Sequence, residues 1–353
     1  MAFPQIARYA ALGPSLWSFE KLPSGVSVQN VPLVAQDRGE SAGVLYSRGG
    51  EKTVVCMMHP RGDMTRHYAI PFLLEAGYAA FGQAGRWVNN DVGLIHEMLI
   101  SDVAAAICHL RESRGYERVV LLGNSGGGAL YTFYQSQAAT RPPGRLTDTA
   151  AGDPYDLNAF EMPEADGIVQ LATHLGQGVL MLSIIDPSVV DEHDPLSRDP
   201  SLDMYDARNG YRELPAPSEY STEFLARYRD AQRERVARID AIARGHVAEQ
   251  QVWRQRLLHP DFERLPLAER QTIERRALVG RYMEVHRTEA NPAYIDLSLH
   301  PSKREIGSFF ALRPDVFNYL EAGFGKILTP RAWLSTWSGL SSRAATLRCL
   351  PQI

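Results

Sequence analysis

One turn constrains this chain more than any other feature of its sequence. Residues 118–134 read RVVLLGNSGGGALYTFY: a β-branched apolar run, then Gly123-Asn124-Ser125-Gly126-Gly127, then a pattern of helical period. The spacing is G-x-S-x-G, in the strand-turn-helix setting that holds a serine at the apex of a sharp elbow. A residue at such an apex sits in strained backbone geometry, and side chains two positions to either side would collide with each other and with adjacent strands. Glycines remove that collision. The turn also sets Ser125 at a helix N-terminus, where unpaired N–H groups and the dipole favour developing negative charge. A bare G-x-S-x-G also serves as an ordinary packing turn. The strand before it and the helix after it make Ser125 the candidate nucleophile and the Gly126 N–H a candidate oxyanion donor.

Around this turn, the first 175 residues alternate apolar β-branched runs with helical patterns, as successive β-α units around a mostly parallel sheet do. Candidate strands cover 26–34, 43–47, 53–58, 78–82, 118–122 and 167–173, with helices expected over 71–76 and 93–113. From Ile185 to about Pro217 the sequence is dense in Pro and Asp and reads as a long irregular connection. Residues 221–290 then carry 14 arginines and 11 acids. With Leu225, Tyr228, Val236, Ile239 and Ile242 near helical spacing and a capping candidate at Ser221 or Thr222, they predict an insertion of two or three amphipathic helices. Its charges read as a solvated face laced with ion pairs. The expected division is a core over 1–190, a connection and helical cap over 191–300, and a return toward the core over 301–353.

Composition removes several classes of function. The net charge is −4 and only four residues are lysine, which gives no nucleic-acid footprint. The longest apolar stretches, such as GVLMLSIID at 178–186, fall short of the roughly 18 residues that span a bilayer. The N-terminus lacks the basic start and unbroken apolar run of a secretory signal, so the cytoplasm is the expected location. Cys56, Cys108 and Cys349 are odd in number and far apart, which argues against a disulfide framework or a metal knuckle. His96, in LIHEML, lacks the second histidine of H-E-x-x-H, so no zinc site is read there. No metal or organic cofactor is implied, and the oligomeric state is not legible.

A second feature accompanies the elbow. The apolar run TVVCMM ends in His59-Pro60-Arg61-Gly62-Asp63, and such a loop is where an acyl-transfer enzyme takes its second oxyanion donor. Pro60 has no N–H, which points to the amide of Arg61 or Gly62. The bland alternative is a strand-to-helix turn with an Arg–Asp pair.

The order strand, HPRG loop, helix, strand, helix, LLGNSGGG elbow resembles the α/β-hydrolase superfamily, and within it bacterial serine hydrolases of the esterase and acyl-peptidase kind. The resemblance covers roughly residues 26–190, and the cap by position only. It implies a mostly parallel sheet flanked by helices, and a small-molecule acyl substrate attacked by Ser125. It further implies a histidine base oriented by an acid, in the chain order Ser, acid, His.

Here the sequence departs from the pattern. No histidine after Ser125 lies on a loop after a last strand, and the segment 329–353 reads as a helix leading toward a strand that would start at or after Ile353. The chain therefore reads as incomplete at the C-terminal end of its sheet, as having recruited another base, or as non-catalytic. His174, in ATHLGQG at the end of the sixth candidate strand, is the candidate base, and Asp186, in SIIDPS, the candidate acid.

Rivals find less support. G-x-G-x-x-G does not occur at 123–128, no lysine has a tyrosine four residues before it, and Gly325-Lys326 is followed by Ile327, which removes dinucleotide and P-loop readings. A non-catalytic protein of the same fold, enclosing an apolar ligand among Trp253, Phe262, Tyr282, Trp333 and Trp337, is the stronger rival.

Overall fold

A computed structural model describes residues 18–300, 305–307, 313–320 and 323–349. The expected leader-free N-terminus and the strand expected from Ile353 lie outside the described residues. Six strands, β1 (Ser27–Val34), β2 (Glu40–Ser47), β3 (Thr53–Met57), β4 (Ala79–Ala84), β5 (Arg118–Asn124) and β6 (Gly167–Leu171), form one sheet in the order β1-β2-β4-β3-β5-β6. The β1–β2 and β2–β4 pairs are antiparallel, and β4, β3, β5 and β6 run parallel. Helices cover both faces, so the fold is the α/β-hydrolase-type one expected. Among the described residues this sheet ends at β6.

Burial on both faces explains why β3, TVVCM, reads as an unbroken apolar run. Val54 and Cys56 point into one core with Leu99, Ile100, Val103 and Ile107 of α2 (His96–Cys108) and Leu130 and Phe133 of α3 (Gly126–Ala139). Val55 and Met57 point into the other, with Ile70 and Leu74 of α1 (Ile70–Glu75). The helix expected from Gly93 starts later, because Ile95 is extended (φ −125°, ψ 113°), and its last turn over His109–Ser113 widens to a π-helix.

Beyond β6, α4 (Gln177–Ile184) leads into the irregular connection. The insertion is a 36-residue helix, α5 (Thr222–Leu257), and a shorter α6 (Leu267–Leu278). Ser221 caps α5, accepting from the Phe224 N–H at 3.1 Å. Val236, Ile239 and Ala243 of α5 share a third core with Met181 and Ile184 of α4 and with Trp333, Leu334 and Trp337 of the returning chain. The charge of α5 is only partly the solvated face expected. Arg235 is fully buried, donating to Glu192 at 2.7 Å and to the carbonyls of Asp186 and His286. Asp240 accepts from Trp333 Nε1 at 2.6 Å. These groups fasten the insertion to both segments that flank it.

Candidate active site

Ser125 links β5 to α3 with φ +81° and ψ −115°, a left-handed conformation that costs a residue with a Cβ about 1–3 kcal/mol. Packing imposes it. A Cβ on Gly123 would lie 2.5 Å from the Gly128 Cα, and one on Gly127 2.4 Å from the Met58 carbonyl oxygen. The turn therefore packs backbone on backbone and against the end of β3. Asn124 braces it sideways, donating from Nδ2 to the Leu171 carbonyl at 2.8 Å and meeting His67 Nε2 through Oδ1 at 3.3 Å. His67 Nδ1 accepts the Ala69 N–H, so its proton sits on Nε2 and points at Asn124.

Three more imidazoles gather near this edge of the sheet. His59, just past β3, accepts at Nδ1 from the amides of both Arg61 (3.1 Å) and Gly62 (2.9 Å). The Arg61 amide, expected as the second oxyanion donor, is thus turned to His59, and so is the Gly62 alternative. Burial lowers the His59 pKa to about 3, and the positive charges of Arg61, His174 and His96 oppose its protonation further. His59 therefore stays neutral with its proton on Nε2. That nitrogen is 3.0 Å, and Gln177 Nε2 2.3 Å, from where a Cβ on Gly126 would sit.

His174 follows β6, as expected of the candidate base, but its Nδ1 accepts the Gly176 N–H at 3.1 Å. In the neutral ring this leaves the proton on Nε2, where a base would need a lone pair. Burial lowers its pKa to about 4. His96, at the start of α2, has the opposite tautomer. Its Nδ1 faces the Ser335 carbonyl at 3.3 Å and its backbone N–H donates to Ser335 Oγ at 2.9 Å. Its Nε2 is buried and makes no hydrogen bond. Burial also lowers the His96 pKa to about 4. Behind Ser335 stands a carboxylate: Ser335 Oγ donates to Glu97 Oε2 at 2.5 Å.

Asp186, the candidate acid, is committed elsewhere. Its Oδ2 accepts from Arg287 Nε (2.9 Å), Arg287 Nη2 (2.6 Å) and Asn318 Nδ2 (2.9 Å), and its Oδ1 from the amide and hydroxyl of Ser188. The two carboxylate oxygens are filled by donors that include no histidine.

Sequence reasoning singled out none of three polar side chains at this place. His59 was read only as part of its loop and His96 only as a failed zinc motif, while Gln177 carries no motif at all. Each is recognised by burial without a partner or by tautomer, which need coordinates. In the segment after α6, burial raises the pKa of Glu289 to about 8, although the charge of Lys326, the Tyr294 hydroxyl and the charge of Arg61 oppose the rise. Burial also lowers the Lys326 pKa to about 8. Arg61 bonds Asp91 at 2.6 Å, and its guanidinium lies 4.9 Å from the Phe324 ring centre and 5.2 Å from that of Trp337. One group of possible metal ligands, Cys108, Glu112 and Glu161, lies within 4.8 Å among the described residues. Both carboxylates there are exposed. Burial raises the Cys108 thiol to about 11, away from the thiolate that binds metals. No described helix is long and apolar enough to cross a membrane.

No protein-family model matches the chain, and no curated protein matches it. Solved structures similar to it include an esterase from Pyrococcus furiosus, 17% identical over 36% of this chain and 54% of that one, with a TM-score of 0.28. An inhibited esterase B from Lactobacillus rhamnosis is 17% identical over 46% of this chain and 53% of its own, with a TM-score of 0.33. A hypothetical protein from Pseudomonas aeruginosa is 15% identical over 63% of this chain and 67% of its own, with a TM-score of 0.34. The chain spans about half the length of the two esterases.

Proposed function

We propose that this chain is a serine hydrolase that cleaves a carboxylic ester, thioester or amide through an acyl-enzyme on Ser125. The observation that carries the reading is the backbone of Ser125, a non-glycine residue held at φ +81° on a β-strand-to-helix turn closed by glycines. Strain of this kind persists only where the surroundings over-determine it, and it lifts a side chain clear of its strand. Ser125 Oγ attacks the acyl carbon, and the Gly126 N–H at the head of α3 faces the oxyanion. His96 takes the hydroxyl proton at Nε2 in preference to His174, and delivers it to the leaving group before water releases the acyl group. The tautomer supports that choice, with the Ser335 carbonyl facing His96 Nδ1 in the place of a triad acid and Glu97 holding the Ser335 hydroxyl. Residues 191–300 form a cap over a core of residues 1–190, and 301–353 return to it.

The test is intact-mass analysis after treatment with a fluorophosphonate. A single adduct that disappears in Ser125→Ala supports the reading, and slower labelling in His96→Ala than in His174→Ala supports the base. Absence of any adduct, with the protein folded, would end it. A second reading, ligand binding without turnover, is favoured by one observation: the expected base and acid, His174 and Asp186, both have their acceptor atoms occupied. Full binding of an apolar acyl ligand by unlabelled protein is its signature.

A further inference from the structure

We infer that Gln177 is an oxyanion donor of this site, its side-chain amide taking the place usually held by a backbone N–H of the loop after β3; the inference rests on Ser125 being the nucleophile. Gln177 is the first residue of α4 and is 2% exposed, and both atoms of its amide are buried without a hydrogen-bond partner. Burying an amide in that state costs about 1–3 kcal/mol, a cost that a structural glutamine avoids by pairing and a ligand-binding one recovers when its ligand arrives. The neighbouring surface says which ligand. The amide nitrogen packs on Gly126, the residue whose backbone N–H follows the nucleophile, so closely that a methyl there would stand 2.3 Å away. His59 Nε2 approaches the same point at 3.0 Å, and its two Nδ1 bonds fix it as an N–H donor.

Gly126 is not among the glycines with positive φ, so its backbone conformation does not itself demand glycine. Its missing side chain is explained by what occupies the space. Two polar N–H groups, one from the loop after β3 and one from the head of α4, converge on Gly126, the residue after Ser125, whose own N–H would face the carbonyl oxygen that acquires charge as the acyl carbon becomes tetrahedral. The usual donors are diverted, since the Arg61 and Gly62 amides are spent on His59. That diversion is productive, because it is what holds the His59 proton on the nitrogen that faces the elbow. The arrangement exchanges the loop amides for two side chains, the His59 ring held by those amides and the buried Gln177 at the head of α4, as charge stabilisation by fixed dipoles requires.

The experiment compares wild type with Gln177→Leu, Gln177→Glu and Gly126→Ala, each checked for folding by circular dichroism and thermal midpoint. The readouts are the second-order rate of fluorophosphonate labelling of Ser125 and the kcat and KM for 4-nitrophenyl butyrate. Loss of one oxyanion donor lowers kcat by about 10²- to 10³-fold. The expected result is a fall of that size in labelling rate and in kcat for both Gln177 variants with KM unchanged, and a comparable fall in Gly126→Ala, whose methyl evicts the amide. Labelling and kcat within threefold of wild type in folded Gln177→Leu would overturn the inference and leave Ser125 as the nucleophile. A wild type that is folded and not labelled would overturn both.

Discussion

Glu97 and Ser335 stand 238 positions apart in sequence and 2.5 Å apart in space, the Ser335 hydroxyl donating to the Glu97 carboxylate. The contact joins the first turn of α2 to the segment that returns after the helical insertion, and it lies next to the clamp on His96. Glu97 also accepts the Ala150 amide at 3.0 Å, and burial raises its pKa. A core helix, the loop before β6 and the returning chain are thus tied at one carboxylate.

Replacing Ser335 by Ala leaves Glu97 Oε2 and the His96 amide without their partner while keeping the Ser335 carbonyl. The expected loss is about 1–3 kcal/mol of stability, measured by urea unfolding. If His96 is the base, labelling of Ser125 should also slow and its pH profile shift, since the His96 backbone N–H loses the hydroxyl that holds the residue at the head of α2. An unchanged midpoint and an unchanged profile would contradict both roles.

The stability of the chain should peak near pH 6.5. His59, His96 and His174 are held neutral in the folded state to about pH 3, 4 and 4, whereas the unfolded chain protonates them below about 6.5. Their contribution is complete above that value and is lost as pH falls through it. Each contributes a slope of up to about 1.4 kcal/mol per pH unit between its folded and unfolded values. Glu289 works the other way. It holds its proton to about pH 8 in the folded state and to about 4.3 unfolded, so its contribution is present at low pH and erodes as pH rises toward 8. Between about 4.5 and 6.5 the three histidines outweigh Glu289, and from there to 8 the loss from Glu289 prevails, in the same direction as that from the raised Glu97. Thermal midpoints from pH 4 to 8 should rise and then dip, and Glu289→Gln should make the dip shallower. A flat profile would refute the neutral-histidine cluster.

Gly123→Ala tests whether the elbow is strained for steric reasons. Its Cβ would stand 2.5 Å from the Gly128 Cα, a backbone atom of the following helix that cannot swing aside as a side chain does. Overpacking of this kind costs typically 1–3 kcal/mol. The turn must open, so fluorophosphonate labelling is expected to be lost along with the stability. Retention of full labelling would show that the turn has slack.

What the sequence made legible follows the range of the forces involved. The strands and the elbow are set by local periodicity and by glycine sterics, and Ser125 with its flanking residues could be placed from seventeen letters. The cap on α5 was readable at Ser221 for the same reason. The partners of Ser125 were not, because a histidine's use depends on which nitrogen is occupied. His174 looks suitable by position and is oriented unsuitably by the Gly176 amide two residues on. His96 looks incidental and acquires its tautomer from Ser335, 239 positions away. Arg235 was lost among the arginines of α5, since helical periodicity does not say which charge will meet buried carbonyls.

Asp186 offers the sharpest separation of a structural acid from a catalytic one. It is fully buried and receives Arg287 through two nitrogens, Asn318 through its amide and Ser188 through both backbone and hydroxyl. Arg287 in turn donates to the Ser197 carbonyl at 2.9 Å, so the pair pins the irregular connection to the segment after α6. Arg287→Met leaves a buried carboxylate without its cation, and losses from breaking such a pair run about 3–5 kcal/mol. Asp186→Asn exchanges one of the two acceptor oxygens for a donating NH2 and removes the counter-charge of the guanidinium. Both variants should lower the thermal midpoint, while folded Asp186→Asn at low temperature should label at Ser125 within twofold of wild type. Had Asp186 oriented the base, exchange for the amide would cost on the order of 10⁴-fold in turnover. A loss of that size at undiminished fold content would return Asp186 to the site from which its hydrogen bonds exclude it.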